Sequence, residues 1–63
     1  MTNLQKAKRA CKKAKTLMTA SFDSGESTDL GNLIIQDGLD TVIQAIEEQE
    51  MLYKEYLKSR KND

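Results

Sequence analysis

The chain has 63 residues, of which 38% are apolar, 32% charged and 5% aromatic, and its formal net charge is zero. A chain this short forms one domain and buries only about 60% of its unfolded surface, so a disulfide, a metal or a second chain usually stabilises it. The single cysteine excludes an internal disulfide, and the absence of histidine argues against structural zinc, which leaves oligomerisation.

The first predicted element is an amphipathic helix over about residues 3–20. Its apolar residues recur at intervals of three and four, which is the pattern of a coiled-coil contact. Thr2 or Asn3 can cap the first turn. We interpret Cys11 as a small buried apolar residue, the alternative being a thiol activated by nearby lysines. The predicted contact residues are Leu4, Ala7, Cys11, Ala14 and Met18.

Residues 21–28 are dense in turn-forming side chains around Gly25, and they predict the loop. We expect Phe22 to pack back against the core. The acidic side chains of this segment lack the spacing of a calcium-binding loop, so a solvated turn is the favoured interpretation. Thr28 or Asp29 is expected to cap the helix that follows.

The second predicted helix spans about residues 29–60. It contains Gly31 and Gly38, each of which costs about 1 kcal/mol relative to alanine inside a helix. We favour one continuous helix whose glycines face helix one over two shorter helices separated at Gly38. The polar residues 61–63 are expected to fray. The predicted fold is all-α: an antiparallel two-helix hairpin with a longer second helix, assembling into a dimeric helical bundle.

The two helices differ in predicted length, at about 25 Å and about 48 Å. Leu4 should therefore lie near Ala45 or Ile46, and the end of helix two should extend beyond helix one. An uncovered apolar segment of this kind indicates an interaction surface, and tyrosine is favoured at interfaces. The predicted oligomer or partner interface consists of Ile46, Met51, Leu52, Tyr53, Tyr56 and Leu57.

Charge is separated into blocks along the chain. Residues 1–20 carry six positive charges and no negative one, residues 21–50 carry eight negative charges and no positive one, and residues 51–63 carry a net two positive charges. The basic side chains of helix one could contact phosphates, although no aromatic side chain lies among them to stack on bases. A solvated face is the favoured interpretation. The candidate phosphate-contacting residues are Lys6, Lys8, Arg9, Lys12, Lys13 and Lys15.

Catalytic motifs are absent from the sequence. Without histidine no Ser/His/Asp or Cys/His arrangement can form, and the glycines are too far apart for a phosphate-binding loop. We therefore expect no enzyme activity, no catalytic residue, no metal site, no cofactor and no small-molecule substrate. The sequence also lacks an apolar signal region and a membrane-spanning run of about 20 apolar residues, so we expect a cytoplasmic protein that does not bind membranes.

In length and helix count the chain resembles the small plasmid-encoded helical hairpins that dimerise into four-helix bundles. This resemblance implies a homodimer, and no binding residue is carried over from it. The leading hypothesis is a small non-enzymatic regulator that acts as a helical homodimer and binds another protein. One alternative is a nucleic-acid-binding regulator that uses the basic face of helix one. A second is a chaperone-like or adaptor subunit whose fold a different protein completes.

Overall fold

The computed structural model describes residues 1–61, and of Lys61 the backbone alone. It consists of helix α1 (Asn3–Asp23) and helix α2 (Asp29–Lys61), which pack against each other as an antiparallel hairpin. The hairpin measures 56 × 19 × 10 Å, so it is one layer of helices. The predicted all-α hairpin with a longer second helix is confirmed. Part of the predicted fraying tail, residues 62–63, lies outside the described residues.

Helix α1 begins with a capping box. The Thr2 hydroxyl accepts a hydrogen bond from the backbone N–H of Gln5, and the Gln5 side chain accepts one from the backbone N–H of Thr2. The helix ends at Asp23 rather than at the predicted residue 20. It is followed by Gly25 at φ 82°, a left-handed conformation that glycine adopts without strain.

Helix α2 begins where the sequence predicts. The Thr28 hydroxyl accepts a hydrogen bond from the Gly31 N–H at 3.2 Å, and the helix is continuous through Gly38, as expected. The glycines, however, do not face α1. A Cβ added to Gly38 would meet nothing within 4 Å, and one added to Gly31 would approach only Thr28. The prediction that these glycines allow close helix approach is wrong, because both lie on sides of α2 turned away from α1.

The contact between the helices is mixed in polarity. Ile43, at 9% exposed, is the one buried apolar residue among those described, and Asn32, at 3%, is the one buried polar residue. The other positions in the contact are half-buried and keep the spacing of three and four. The α1 contact series is Leu4, Lys8, Cys11, Lys15 and Met18, flanked by Ala14. The α2 contact series is Asn32, Gln36, Leu39, Ile43, Ile46 and Glu50.

Several side chains differ in position from the prediction. Ala7 is exposed, although the periodicity placed it in the contact, and Phe22 remains 44% exposed rather than packing on the core. Lys8 and Lys15 are half-buried in the contact instead. The long aliphatic stems of the lysines cover more of α2 than an alanine methyl can, while their ammonium groups still reach carboxylates.

Polar groups join the helices at both ends of the contact. At the loop end, the Asn32 amide donates to the Met18 carbonyl and, at 2.9 Å, to the Ser27 hydroxyl, while the Gln36 amide donates to Asn32. Lys8 is nearer the open end and pairs with Glu50. Apolar side chains pack between these groups, and beyond Lys8, at the open end, Leu4 lies beside Tyr53 and Leu57.

The register of the hairpin differs from the prediction. Leu4 lines a shallow cavity with Tyr53 and Leu57, so its expected position beside Ala45 or Ile46 is wrong. The turn occupies residues 24–28 rather than 21–28, and each residue of α1 consequently pairs further along α2. Helix α1 therefore covers more of α2 than the predicted lengths suggest. Over the described residues, neither helix combines the length and the apolar character needed to cross a membrane.

Candidate functional site

The hairpin is a single layer, so both of its broad sides are surfaces. On each helix, two flanks border the contact. The residues one position before each contact residue, a shift toward the N terminus, form one flank. The residues one position after, a shift toward the C terminus, form the other. Because the helices are antiparallel, the same shift leads to the same side of the hairpin on both. Each side of the hairpin therefore consists of one stripe of residues from each helix.

One side of the hairpin is apolar. It is reached by the shift toward the N terminus, and α1 contributes small residues while α2 contributes larger ones; Val42 and Tyr56 are 46% and 56% exposed. The polar residues of these stripes are Asn3, Ser21 and Gln49. We define the apolar face as Ala7, Ala10, Ala14 and Leu17 of α1 together with Ile35, Gly38, Val42, Ala45, Leu52 and Tyr56 of α2.

The opposite side of the hairpin is polar and carries the interhelical ion pairs. Lys15 pairs with Asp40, and Lys8 Nζ lies 2.6 Å from Glu50 Oε1. The hydrogen bond to Glu50 raises the pKa of Lys8 above its ordinary value of 10.5; burial opposes this shift, and the negative charges of Glu50 and Glu47 add to it. A shallow groove on this side is lined by Lys12, Lys15, Thr16, Thr19, Gln36 and Ile43.

The residues of the predicted interface do not share one surface. Ile46 is half-buried in the helix contact, and Met51 lies on the polar side, in a groove with Lys8 and acidic residues. Tyr53 and Leu57 lie in the cavity beside Leu4. Only Leu52 and Tyr56 belong to the apolar face. Helix α1 does extend alongside Tyr53 and Leu57, so residues 51–57 are not beyond its reach. They are exposed mainly because their side chains point in different directions around α2.

The candidate phosphate-contacting residues are also divided. Lys8 and Lys15 are paired with carboxylates of α2, and Lys12 lines the groove on the polar side. Three others lie on the outer side of α1, at intervals of three and four, and no ion pair within the described chain includes them. These residues are Lys6, Arg9 and Lys13.

A further exposed apolar cluster lies near the loop. Leu30, Leu33 and Ile34 are 72%, 57% and 65% exposed, and they belong neither to the helix contact nor to the apolar face. Periodicity did not indicate this cluster, because apolar residues occur on several sides of the first turns of α2 and do not mark one face. The available signal was the acidic character of the neighbouring residues, which is unusual beside a core. We call Leu30, Leu33 and Ile34 the loop-end patch.

Comparison of the chain with protein-family models, with curated proteins and with solved structures finds no match. Within residues 1–61 there is no cluster of three or more side chains that could hold a metal ion. The described residues form open grooves and two exposed apolar surfaces, the apolar face and the loop-end patch. This arrangement is suited to contact with other macromolecules.

Proposed function

We propose that this chain is a non-enzymatic interaction protein that forms a homodimer through its apolar face and binds a further protein. The observation that supports this proposal is the area left exposed. The chain exposes 5187 Å², whereas a compact protein of 7.1 kDa exposes about 4,100 Å². The excess of about 1,100 Å² exceeds the roughly 800 Å² that each partner buries in an interface of standard size.

The composition of the apolar face suits a second helical hairpin. A stable domain packs at least two layers around a core, and this hairpin is one layer. Gly38 and Ala45 flank Val42 on the face, so the backbone of a second copy could approach closely there. The spacing of three and four along both helices is the one that lets side chains of facing helices interdigitate in a four-helix bundle.

Paired substitutions on the two sides of α2 test the homodimer. Val42→Glu with Ala45→Glu places two charges on the apolar face, whereas the control, Thr41→Glu with Gln44→Glu, adds the same charges away from it. By sedimentation equilibrium at micromolar concentration, we expect dimers for the wild type and the control and a monomer of reduced helicity for the test variant. A wild-type monomer, or equal behaviour of the two variants, would contradict the proposal.

The adaptor alternative makes a different prediction in the same experiment. If a different protein completes the fold, the purified wild-type chain should be monomeric and poorly helical. Its helicity should then recover on co-expression with the host protein that it binds.

We also propose a reducing, cytoplasmic setting for this chain. Cys11 is a free, half-buried thiol, and this supports the proposal.

Nucleic-acid binding is a second candidate function, and the outer side of α1 favours it. Lys6, Arg9 and Lys13 form a basic stripe without acidic partners among the described ion pairs. If this stripe contacts phosphates, filter binding to RNA or DNA should weaken steeply as salt rises, and changing the three residues to Gln should reduce both affinity and salt dependence. An absence of binding at low salt would reject this candidate.

A further inference from the structure

Leu30 and Ile34 of the loop-end patch lie on the side of α2 away from α1, and Leu33 extends the patch onto the polar side of the hairpin. Leu30, Leu33 and Ile34 are separated by three and four residues, so their side chains neighbour one another on the helix surface. All three are more than half exposed. A second copy on the apolar face would leave most of this patch open, because its residues are outside that face.

Four acidic residues that take part in no ion pair of the described chain lie at the loop end of the hairpin, near the patch in sequence. Asp37 lies one turn beyond Leu33 and Ile34 on α2, Asp29 precedes Leu30, and further acids lie at the end of α1 and in the loop. No lysine or arginine occurs between residues 15 and 54, and Lys15 is paired with Asp40. None of the ion pairs in the described chain includes the acids of this rim, which are Asp23, Glu26, Asp29 and Asp37.

We propose that the loop-end patch docks an amphipathic basic helix of a partner protein. The apolar residues of that helix would cover Leu30, Leu33 and Ile34, and its lysines and arginines would lie over the acidic rim. This inference rests on the proposed function as an interaction protein and adds the chemistry of the partner. An amphipathic helix that presents residues at intervals of three and four is a recurrent ligand for such surfaces.

The charge of the rim argues against the other common ligands of an exposed apolar patch. Anionic lipid headgroups and nucleic-acid phosphates would be repelled by the four carboxylates. An acidic helix would be rejected for the same reason, which gives the surface specificity by charge. A basic partner gains from the rim, since opposite charges speed encounter and orient the docked helix.

A synthetic helical peptide of leucine and lysine, with its leucines at intervals of three and four, serves as the probe. It is labelled with a fluorophore and titrated with the full chain by anisotropy, and a matched leucine–glutamate peptide is the control. We expect the lysine peptide to bind and its affinity to fall as salt rises. We expect the glutamate peptide not to bind. Absence of binding by the lysine peptide at low salt would overturn the proposal.

Substitutions in the chain locate the bound peptide. Leu30→Ala and Ile34→Ala should each weaken binding about 10-fold, the loss typical of an important interface side chain. Asp37→Asn should weaken binding about 3-fold, whereas Glu48→Gln, which removes the same charge elsewhere on α2, should leave it unchanged. Equal effects of the two charge substitutions would mean that overall acidity attracts the peptide, and this would overturn the site.

The oligomeric state of the same variants separates this inference from the homodimer. We expect Leu30→Ala and Ile34→Ala to remain dimers by sedimentation. If either change dissociates the dimer, the patch is covered by a second copy, and the docking proposal is overturned while the homodimer stands. A wild-type chain that binds the peptide as a monomer would support the docking site and overturn the homodimer.

Discussion

Asn32 links the two helices more directly than any apolar side chain at the loop end. Its amide donates to the Met18 carbonyl and to the Ser27 hydroxyl, and its carbonyl accepts from Gln36. No buried side-chain nitrogen or oxygen within the described residues lacks a partner. A satisfied polar group of this kind favours one register, because sliding α2 along α1 would leave the amide unpaired in a buried position.

Removing the Asn32 side chain should therefore be costly. We expect Asn32→Ala to lower the free energy of unfolding by about 1–3 kcal/mol, since it deletes buried hydrogen bonds and leaves their partners unsatisfied. The control is Gln44→Ala, which truncates an exposed amide of the same helix and should change stability by less than about 0.5 kcal/mol. Urea unfolding followed by circular dichroism measures both, and similar values for the two variants would contradict the role of Asn32.

Lys8 should contribute to stability in a pH-dependent way. Its pKa in the folded chain is raised above 10.5 by the hydrogen bond to Glu50, so the contribution is complete below pH 10.5 and is lost as pH rises through the folded pKa. We expect the melting temperature of the wild type to exceed that of Lys8→Met at neutral pH and the difference to shrink in strong alkali. Lys12→Met is the control, and a difference independent of pH would contradict this account.

Residue-scale predictions from sequence succeeded where the cause is local. Thr2 and Thr28 cap their helices because a hydroxyl one turn before an amide can accept its hydrogen bond whatever the tertiary structure. The place of Lys8 in the contact could not be predicted in this way. It depends on Glu50, which is distant in sequence and becomes a neighbour only when the register is known.

At the scale of elements, the two helices and the continuity of α2 were predictable from periodicity. The end of α1 was not, because residues 21–23 are compatible with either helix or turn, and only the positive φ of Gly25 marks where the chain reverses. This small difference in the turn altered the whole register. It also moved the expected neighbour of Leu4 from Ala45 to Tyr53.

Two glycines should respond in opposite ways to alanine. Gly38 lies inside α2 with open space around its Cβ position, so Gly38→Ala should raise helicity and stabilise the helix by about 0.5–1 kcal/mol. Gly25 has a φ of 82°, and Gly25→Ala should destabilise the hairpin by about 1 kcal/mol. Circular dichroism at low temperature, in the Val42→Glu with Ala45→Glu background where the apolar face is disrupted, measures both. Changes of the same sign would contradict the assignment.

At the scale of the whole molecule, the hairpin is two-sided. Its helices meet through a contact in which α2 contributes the polar residues Asn32, Gln36 and Glu50. Apolar residues of both helices lie exposed on one side, in the apolar face. The sequence indicated that some apolar surface would be uncovered, but it placed that surface at the end of helix two. The sequence did not separate the apolar face of α2 from the helix contact, because the contact series contains polar residues. The apolar residues of the contact and of the apolar face therefore form one broad pattern along α2.

We propose that a second copy of the chain stabilises this single layer. Melting the wild-type chain over a 100-fold range of concentration tests it most directly, because association with a folded partner makes the melting temperature depend on concentration. We expect the midpoint to rise steadily with concentration and the rise to disappear in Val42→Glu with Ala45→Glu. A midpoint independent of concentration, from a well-folded monomer, would contradict the claim.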